Sequence, residues 1–387
     1  MFKKIIILGL MVASLSAQAS EEVSLELNVN TLQTDVQEYI HQAPGFWVKY
    51  SGTFGFGYPY KTGTQAIEYN GVVYYTYSKC ITTTSVNYMI VFVADTLGNK
   101  TVVRRIYSTK CDPHENASLH IDSNGFITVA QAGRGYWRKG YVYKSVRPAD
   151  VSEFEVTDSG YYSYTKLHDN GLVYTDYNGA LRETWIKTSQ GKQQLTTGGG
   201  YAITTEVNGQ IHMLYNYHFA GNLDARVNLY YMWSYDGITW FNRHGESLAL
   251  PVVENSQATV ISLDYHKFNY LKDLEFIDGE IQALVIQSDS SDPMEGSRKL
   301  LKFTMDGKSK VITNMGHNYD GAQFWDNSIL AVKNNKHSYA GGSMFKYTLN
   351  GEYLGTHRQV GGTNYPVAVK DSNKLMYADS GNLYITE

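Results

Sequence analysis

The chain contains 387 residues, with 33 Lys or Arg and 37 Asp or Glu, which gives a formal net charge of −4. This balance lacks the basic excess that a phosphate backbone requires, so nucleic acid is excluded as an expected partner. A hydrophobic content of 43% against 18% charged residues excludes a disordered chain. The 33 tyrosines favour many half-exposed strands, where aromatic residues are enriched.

The N-terminus has the three parts of an export signal. Lys3 and Lys4 form a positive region, residues 5–12 form a short apolar segment, and Ala17-Gln18-Ala19 matches a cleavage site. The sequence therefore predicts that residues 1–19 are a signal peptide and that the protein is secreted or periplasmic. No apolar segment, this one included, approaches the ~20 residues that a membrane helix needs.

The predicted location also bears on the oxidation state of the two cysteines. In an oxidising compartment Cys80 and Cys111, each at the end of a predicted strand, are candidates for one disulfide. Two cysteines do not make a disulfide-dense scaffold, and alone they do not make a zinc site.

One motif recurs along the chain: a tight Asn-Gly or Asp-Gly type turn followed by a short strand of alternating apolar residues. Such turns are strong hairpin signals. The copies follow one another at steps of roughly 40–70 residues, about the length of a four-stranded propeller blade. The seven turns are Asn70-Gly71, Asn124-Gly125, Asn170-Gly171, Asn208-Gly209, Asp278-Gly279, Asp326-Asn327 and Asp371-Ser372-Asn373.

These repeats predict an all-β, seven-bladed β-propeller that occupies residues 20–387 as a single domain. A pair of β-sandwiches is the alternative fold, although it would not need a sevenfold repeat. Residues 32–41 carry the one short helical pattern. We expect the last strand, 382–385, to complete a blade with residues near 46–50, because closing the ring removes an exposed edge.

Propellers bind ligands on the loops at one mouth of the central channel. The densest set of reactive side chains is in the loop 111–118, where His114 is a candidate general base because imidazole titrates near neutrality. Asn116 follows in the same loop. Arg134, between two glycines, suits a bidentate contact with a carboxylate. A loop His bonded to backbone and a solvated turn Arg are the alternative interpretations.

The next blade adds hydroxyl groups. A row of hydroxyl side chains spans 161–165, and either Tyr162 or Tyr164 would be placed to donate a proton to a leaving oxygen, although strand packing also explains each tyrosine. Arg182 falls on the same blade. The fourth blade contributes Tyr217, His218 and Arg226.

Two further segments have structural interpretations. Residues 234–240 are one residue short of the Asp-box turn of sialidase-like propellers, in which the Asp caps a hairpin turn and the Trp packs between strands. The acidic loop with Asp289, Asp292 and Glu295 is a possible calcium site, but its spacing matches no EF-hand and a solvated loop is the preferred interpretation. No nucleophile elbow, H-E-x-x-H or Walker loop is present in the sequence.

The order of these motifs resembles a known family. Asp-x-His-x-Asn at 112–116, Tyr-Ser-Tyr at 162–164, and Tyr-His…Arg-x-Asn-Leu-Tyr-Tyr-Met at 217–232 with a degenerate Asp box resemble the BNR-repeat propellers. Within these, the chain is similar to the ulvan lyases of polysaccharide lyase families twenty-four and twenty-five. The resemblance covers roughly residues 45–387.

The resemblance implies β-elimination on a uronic acid in a sulfated polysaccharide. It implies His114 as base, Tyr164 as acid with Tyr162 as the alternative, and Arg182 or Arg226 as the group that neutralises the carboxylate. The family often has a second His after the first. Here Arg134 stands in that place, and it would serve the carboxylate or a sulfate.

Three functions compete at this point: a lyase, a sialidase-like glycoside hydrolase and a non-catalytic sugar-binding propeller. The lyase is preferred, because the chain has few Arg and lacks the Arg near the first blade that a sialidase uses. Its expected partner is an anionic polysaccharide bound by a monomer without a cofactor, a structural metal ion being left open. Expected substrate-binding residues are Asn116, Arg134, Tyr162, Tyr217, His218 and Arg226.

Overall fold

The computed structural model describes residues 23–25, 63–82, 87–108, 113–179, 181–254, 256–261, 266–293, 295–333, 342–358, 366–379 and 382–386. These residues form seven four-stranded antiparallel sheets arranged as a seven-bladed β-propeller, as the repeats predict. In blades I to VI the four strands follow one another along the chain. Helical structure in the described ranges is limited to three short 3-10 turns, Pro113–Glu115, Gly135–Trp137 and Phe219–Gly221.

Each of the seven blades consists of four strands. Blade I contains Ala66–Tyr69, Val72–Thr82, Asn87–Asp95 and Lys100–Ser108; blade II, Ala117–Ile121, Ile127–Gln131, Gly140–Ser145 and Phe154–Gly160; blade III, Ser163–His168, Gly171–Asn178, Leu181–Thr188 and Gly191–Gln194. Blade IV contains Ala202–Val207, Gln210–His218, Arg226–Ser234 and Thr259–Ile261; blade V, Phe268–Ile277, Glu280–Ser288, Arg298–Thr304 and Ser309–Asn314. Blade VI contains Gly321–Trp325, Ser328–Lys333, Ser343–Thr348 and Tyr353–Arg358; blade VII, Val367–Ala368, Leu375–Asp379, Asn382–Thr386 and the N-terminal strand Val23–Leu25.

All seven predicted turns are confirmed, and each joins the first and second strands of one blade. The turn of blade IV shows why its residues are needed: Asn208 and Gly209 have φ of 51° and 75°. Two successive left-handed residues make the hairpin turn that matches the twist of the strands, and Asn and Gly adopt this conformation most readily.

The core is divided among the interfaces between blades. Within the described residues, seven apolar clusters form, one between each pair of neighbouring blades, including blades VII and I. The first strands of successive blades contact one another and surround the central channel. Burial of each sheet against both neighbours explains why a single blade would not be stable alone.

The predicted closure of the ring is correct in kind and wrong in detail. Asn382–Thr386 pairs with Leu375–Asp379 on one side and with the N-terminal strand Val23–Leu25 on the other. Both edges of the last strand are therefore occupied, and its N-terminal partner is Val23–Leu25; residues 46–50 lie outside the described residues. The N-terminal strand was not predicted because Val-Ser-Leu, at three residues, is too short for its alternation to be recognised in the sequence.

Several other expectations fall outside the described residues: the signal peptide 1–19, the short helical pattern 32–41 and the Cys80–Cys111 disulfide, for which Cys111 and the Cys80 side chain are not described. Across the described ranges, the structure contains no helix with the length and apolar character needed to cross a membrane.

Candidate active site

The ring has two ends that differ in their connections. We call the end that carries the seven first-to-second-strand turns the turn face, and the opposite end the loop face. The loop face receives the links between blades and the links between second and third strands. His114 precedes the first strand of blade II, Tyr164 begins that of blade III, and His218 ends the second strand of blade IV. The predicted catalytic side chains therefore lie at the same end of the ring.

Aromatic rings from three blades meet there edge to face. The ring centroids of His114 and Tyr164 are 5.5 Å apart at 74°, and those of Tyr164 and Tyr201 are 5.3 Å apart at 86°. The chain of contacts continues from Tyr201 to His218, 4.9 Å apart. Edge-to-face packing at these distances is the favoured geometry for aromatic pairs. Tyr201 therefore bridges the blade III tyrosine and the blade IV histidine.

Two guanidinium groups flank the same tyrosine. Arg182 lies over the Tyr177 and Tyr201 rings, 4.9 and 5.7 Å from their centroids. Arg226 lies 4.6 Å from the Tyr201 centroid on the blade IV side and is 3% exposed. We name this set the aromatic–arginine cluster: His114, Tyr164, Tyr177, Arg182, Tyr201, His218 and Arg226.

Tyr164 is the most deeply placed member of the cluster. Its side chain is 1% exposed, and burial raises its pKa well above the usual range; the phenols of Tyr201 and Tyr177 raise the pKa further, whereas the Arg182 guanidinium lowers it. The phenol therefore stays protonated at neutral pH and is a proton donor. Arg182 also interacts with the Tyr164 side chain.

The backbone at Tyr164 is irregular. Its φ is 50°, and the pairing of Ser163–His168 with the next strand shifts register between Ser163 and Lys166. A left-handed conformation is unfavourable for a bulky residue and costs roughly 1–3 kcal/mol. The Nζ of Lys166 donates a 2.7 Å hydrogen bond to the Tyr164 carbonyl and holds this bulge. Such bulges re-aim a side chain.

The 3-10 turn that carries His114 is held by its neighbour. Glu115 is fully buried and forms an ion pair with Arg138, with an N–O distance of 2.8 Å. Gln131 donates a hydrogen bond to the Glu115 carbonyl at 3.3 Å. His114 itself is half-buried.

The glycine-rich link between blades III and IV positions Tyr201 and Arg182. The amide of Gly200 donates to the Arg182 carbonyl at 2.9 Å, and the amide of His218 donates to the Gly199 carbonyl at 3.0 Å. A Cβ on Gly200 would lie 1.5 Å from the Asn216 carbonyl oxygen, and one on Gly199 2.8 Å from the Arg182 nitrogen. Glycine is required for this close approach.

The remaining predicted residues have other environments. Arg134 is half-buried; burial raises the pKa of the Tyr177 phenol, and Arg134 lies close enough to oppose that rise. Asn116 is 1% exposed, and its side-chain oxygen accepts a hydrogen bond from Ser78 of blade I. Tyr217 packs beside the apolar cluster between blades III and IV. Asn116 and Tyr217 therefore contact the blade interfaces.

Tyr162 is separate from the cluster. Its hydroxyl donates to Asp158 at 2.8 Å, Lys187 also contacts Asp158, and the Tyr162 ring packs on Tyr174, 4.7 Å away. Burial raises the Tyr162 pKa. These contacts tie blade II to blade III.

Sequence reasoning missed three tyrosines at the site: Tyr177, Tyr201 and Tyr319. Arg226 lies 5.2 Å from the Tyr319 centroid and donates to its hydroxyl at 3.3 Å. Tyr201 follows Gly198-Gly199-Gly200, which reads in sequence as a flexible link. The sequence signal that could have identified Tyr201 is the position of this link, because it leads from blade III into the first strand of blade IV.

The central cavity lies elsewhere. It has a volume of about 650 Å³ and is lined by Gly63–Gln65, by first strands of blades III to VII and by turn-face residues. The aromatic–arginine cluster is not among its lining residues. We locate the candidate site at the cluster because the reactive groups converge there.

No protein-family model matches this chain, and no curated protein matches it in sequence. Among solved structures, the chain is similar to the polysaccharide lyase Uly1, with a TM-score of 0.61 and 11% identity over 95% of this chain and 98% of that one. It is also similar to a Penicillium chrysogenum α-L-arabinanase complexed with arabinobiose, with a TM-score of 0.44 and 10% identity over 90% and 96% of the two chains. At these identities the similarity shows the fold alone.

Proposed function

We propose that this protein is a polysaccharide lyase that cleaves a uronic-acid-containing sulfated polysaccharide, ulvan, by β-elimination. The observation that carries the proposal is the position of Tyr164, a buried phenol between the His114 imidazole, 5.5 Å away by ring centroids, and the Arg182 guanidinium. The similarity of fold to a polysaccharide lyase agrees with it. The order of the sequence motifs supports membership of families twenty-four or twenty-five.

The three groups supply the parts of an elimination. His114 takes the proton from C5 of the uronic acid, and the electron pair of that bond forms the C4–C5 double bond. The C4–O4 bond breaks, and Tyr164 donates its hydroxyl proton to the departing O4. Arg182 faces the carboxylate, where it stabilises the negative charge that develops as C5 loses its proton. His114 then releases the proton that it took from C5 to solvent, and Tyr164 regains a proton from solvent.

Local charge suits an anionic substrate although the whole chain is at −4. Three arginines, Arg134, Arg182 and Arg226, lie on the loop face at the rings of Tyr177 and Tyr201. A concentrated positive region attracts a polyanion more than net charge indicates. Guanidinium groups bind carboxylate and sulfate through paired hydrogen bonds.

The same geometry argues against a glycoside hydrolase of the kind that uses a pair of carboxyl groups. Two carboxylates beside the cluster are each engaged by arginine, Glu115 by Arg138 and Asp224 by Arg226 at 3.9 Å. Tyr319 also donates to Asp224. Neither carboxylate is placed as a free nucleophile.

A lyase of this kind acts on a polymer outside the cytoplasm. We therefore propose that residues 1–19 are removed on export and that residues 20–387 act as one secreted or periplasmic, monomeric domain.

The test is incubation of the purified protein with ulvan while ultraviolet absorbance from the new C4–C5 double bond is recorded. We expect absorbance and reducing ends to rise together, and both to be lost in His114→Ala. Reducing ends without absorbance would identify a hydrolase. Binding without either signal would identify a sugar-binding propeller, and both outcomes would overturn the lyase.

A further inference from the structure

A second group of polar side chains lies at the turn face, at the opposite end of the first strands from the aromatic–arginine cluster. His120 is on Ala117–Ile121 of blade II, Asp169 is in the first turn of blade III, and Glu206 is on Ala202–Val207 of blade IV. One imidazole nitrogen and two carboxylate oxygens lie within 4.8 Å of one another. In the described part of the chain no other such group forms.

His120 and Asp169 face each other at short range as an ion pair. The Nε2 of His120 is 2.8 Å from the Oδ1 of Asp169, yet this buried nitrogen makes no hydrogen bond to any described residue. Two atoms that each bind zinc at about 2.0–2.2 Å lie about 3–4 Å apart, slightly further apart than this ion pair. A small outward shift of the two side chains therefore opens room for one ion between the imidazole nitrogen and the carboxylate oxygen.

The charges at this site also suit a cation. The Glu206 side chain is 6% exposed and faces the second carboxylate, that of Asp169. Among the described residues, the ion-pair partners of both carboxylates are histidines. Lys370 acts on Glu206 only through longer-range attraction. Two adjacent carboxylates repel each other unless a positive charge lies between them.

The surrounding contacts orient the ligands. The backbone amide of Asp169 donates to both carboxylate oxygens of Glu206 at 3.2 Å. The Nδ1 of His168 lies 3.6 Å from the Glu206 Oε2, while the Nε2 of His168 contacts the Thr204 hydroxyl at 2.8 Å. Partners of this kind fix the orientation of ligating side chains in metal sites.

We propose that His120, Asp169 and Glu206 bind one Zn²⁺ ion that ties blades II, III and IV together at the turn face. One imidazole and two carboxylates form a zinc donor set, and a water molecule completes the tetrahedron. Calcium prefers six to eight oxygen ligands and fits this donor set poorly. The site is independent of the proposed lyase chemistry.

The test uses the full-length mature protein, stripped with EDTA and titrated with ZnCl₂. We expect one equivalent of Zn²⁺ to bind by calorimetry and to raise Tm in a saturable way, because an ion that binds the folded chain stabilises it. CaCl₂ at the same concentration leaves Tm unchanged. Absence of zinc binding, or a rise in Tm with calcium alone, would overturn the assignment.

Variants locate the bound ion. His120→Ala and Glu206→Gln weaken Zn²⁺ binding at least tenfold, and Asp169→Asn does the same from an exposed position where folding is not at risk. His244→Ala, at an exposed histidine of blade IV, retains full affinity. Equal affinity in the wild type and in all three ligand variants would place the ion elsewhere and refute the site.

Discussion

Tyr162 and Tyr164 stand two positions apart, the first just before and the second within the strand Ser163–His168, yet the Tyr162 hydroxyl donates to Asp158 at 2.8 Å whereas the Tyr164 ring packs on the His114 imidazole. In a regular strand, residues two apart share a face. The bulge at Tyr164, with its φ of 50°, breaks that alternation. It separates a phenol that holds two blades together from a phenol that is available for proton transfer.

The two tyrosines therefore give a matched pair of variants. Tyr164→Phe keeps the ring packing and removes the hydroxyl, so we expect kcat on ulvan to fall by roughly 10²–10⁴-fold, the usual contribution of a general acid. Tyr162→Phe is expected to retain kcat and to lose about 1 kcal/mol of unfolding free energy with its buried hydrogen bond. Steady-state kinetics and urea unfolding measure the two effects. Full activity in Tyr164→Phe would remove this residue from the mechanism.

Arg226 tests whether stacked guanidinium groups bind the substrate. It lies over Tyr201, Tyr270 and Tyr319 with centroid distances of 4.6, 4.7 and 5.2 Å. Lysine keeps the charge and loses the planar fork. We expect Arg226→Lys to raise KM for ulvan about tenfold, equivalent to about 1.4 kcal/mol, and to change kcat less.

Arg104 provides the control for this change. It stacks on Tyr141 at 4.0 Å on the first two blades, outside the cluster. Arg104→Lys is expected to leave KM unchanged. A similar rise in KM in both variants would mean that the effect comes from lost stability.

The glycine link is expected to be as sensitive as the catalytic side chains. A methyl group on Gly200 would overlap the Asn216 carbonyl, so Gly200→Ala must displace Tyr201 and the Arg182 backbone. We expect a loss of about 1–3 kcal/mol in stability from the overpacking and a large fall in kcat/KM. Circular-dichroism melting and ulvan kinetics measure both.

Gly209→Ala is the control variant that distinguishes the effect of backbone strain from the effect of displacing the site. It has φ of 75° in the turn of blade IV, and a Cβ there would meet nothing within 4 Å. Gly209→Ala costs roughly 1–2 kcal/mol of strain and should leave kcat/KM intact. If Gly200→Ala keeps wild-type kcat/KM, the link does not position the site.

The fold was within reach of sequence reasoning because turn chemistry is local. Asn208-Gly209 and its six counterparts each place at least one residue at positive φ, which Asn, Asp and Gly adopt most readily, so counting them counted the blades. The repeat also predicted that His114, Tyr164 and Arg226 lie at one mouth of the channel. Each of them lies at or just before the start of a first or third strand, and these strands start at the loop face. The position of Tyr201 did not follow, because the contacts of a glycine link depend on which blades it crosses.

The choice between Tyr162 and Tyr164 also needed coordinates. A bulge in the first strand of blade III decides it, and the sequence Tyr-Ser-Tyr gives no sign of a bulge. The grouping of His120, Asp169 and Glu206 was missed for a similar reason: the three residues come from three blades, and no spacing in the chain connects them.

Asp236 is expected to affect stability alone. Its Oδ1 accepts hydrogen bonds from the Ile238 and Thr239 amides, both at 2.8 Å, and Trp240 is 1% exposed, which confirms the structural interpretation of this turn. Asp236→Ala removes these bonds, and we expect a loss of about 1–3 kcal/mol, as for hydrogen bonds to a charged group. Urea unfolding measures it. A fall in kcat on ulvan at full stability would contradict this assignment.

Lys166 predicts a pH dependence of stability. Burial lowers its pKa to about 7 from an ordinary value of 10.5. Between these values the unfolded chain binds a proton that the folded chain does not, so the Lys166 contribution to unfolding free energy rises with pH across this window. Below pH 7 both states are protonated and the cost of burying the charge is fully present.

We therefore compare the wild type with Lys166→Met by urea unfolding from pH 7 to pH 9. The wild-type free energy of unfolding should gain about 1.4 kcal/mol on the variant for each pH unit. Lys299→Met, at an exposed position of blade V, should show no such trend. A constant difference between wild type and Lys166→Met would mean that the lysine titrates near its ordinary pKa, and that the bulge at Tyr164 is held by a charged ammonium group.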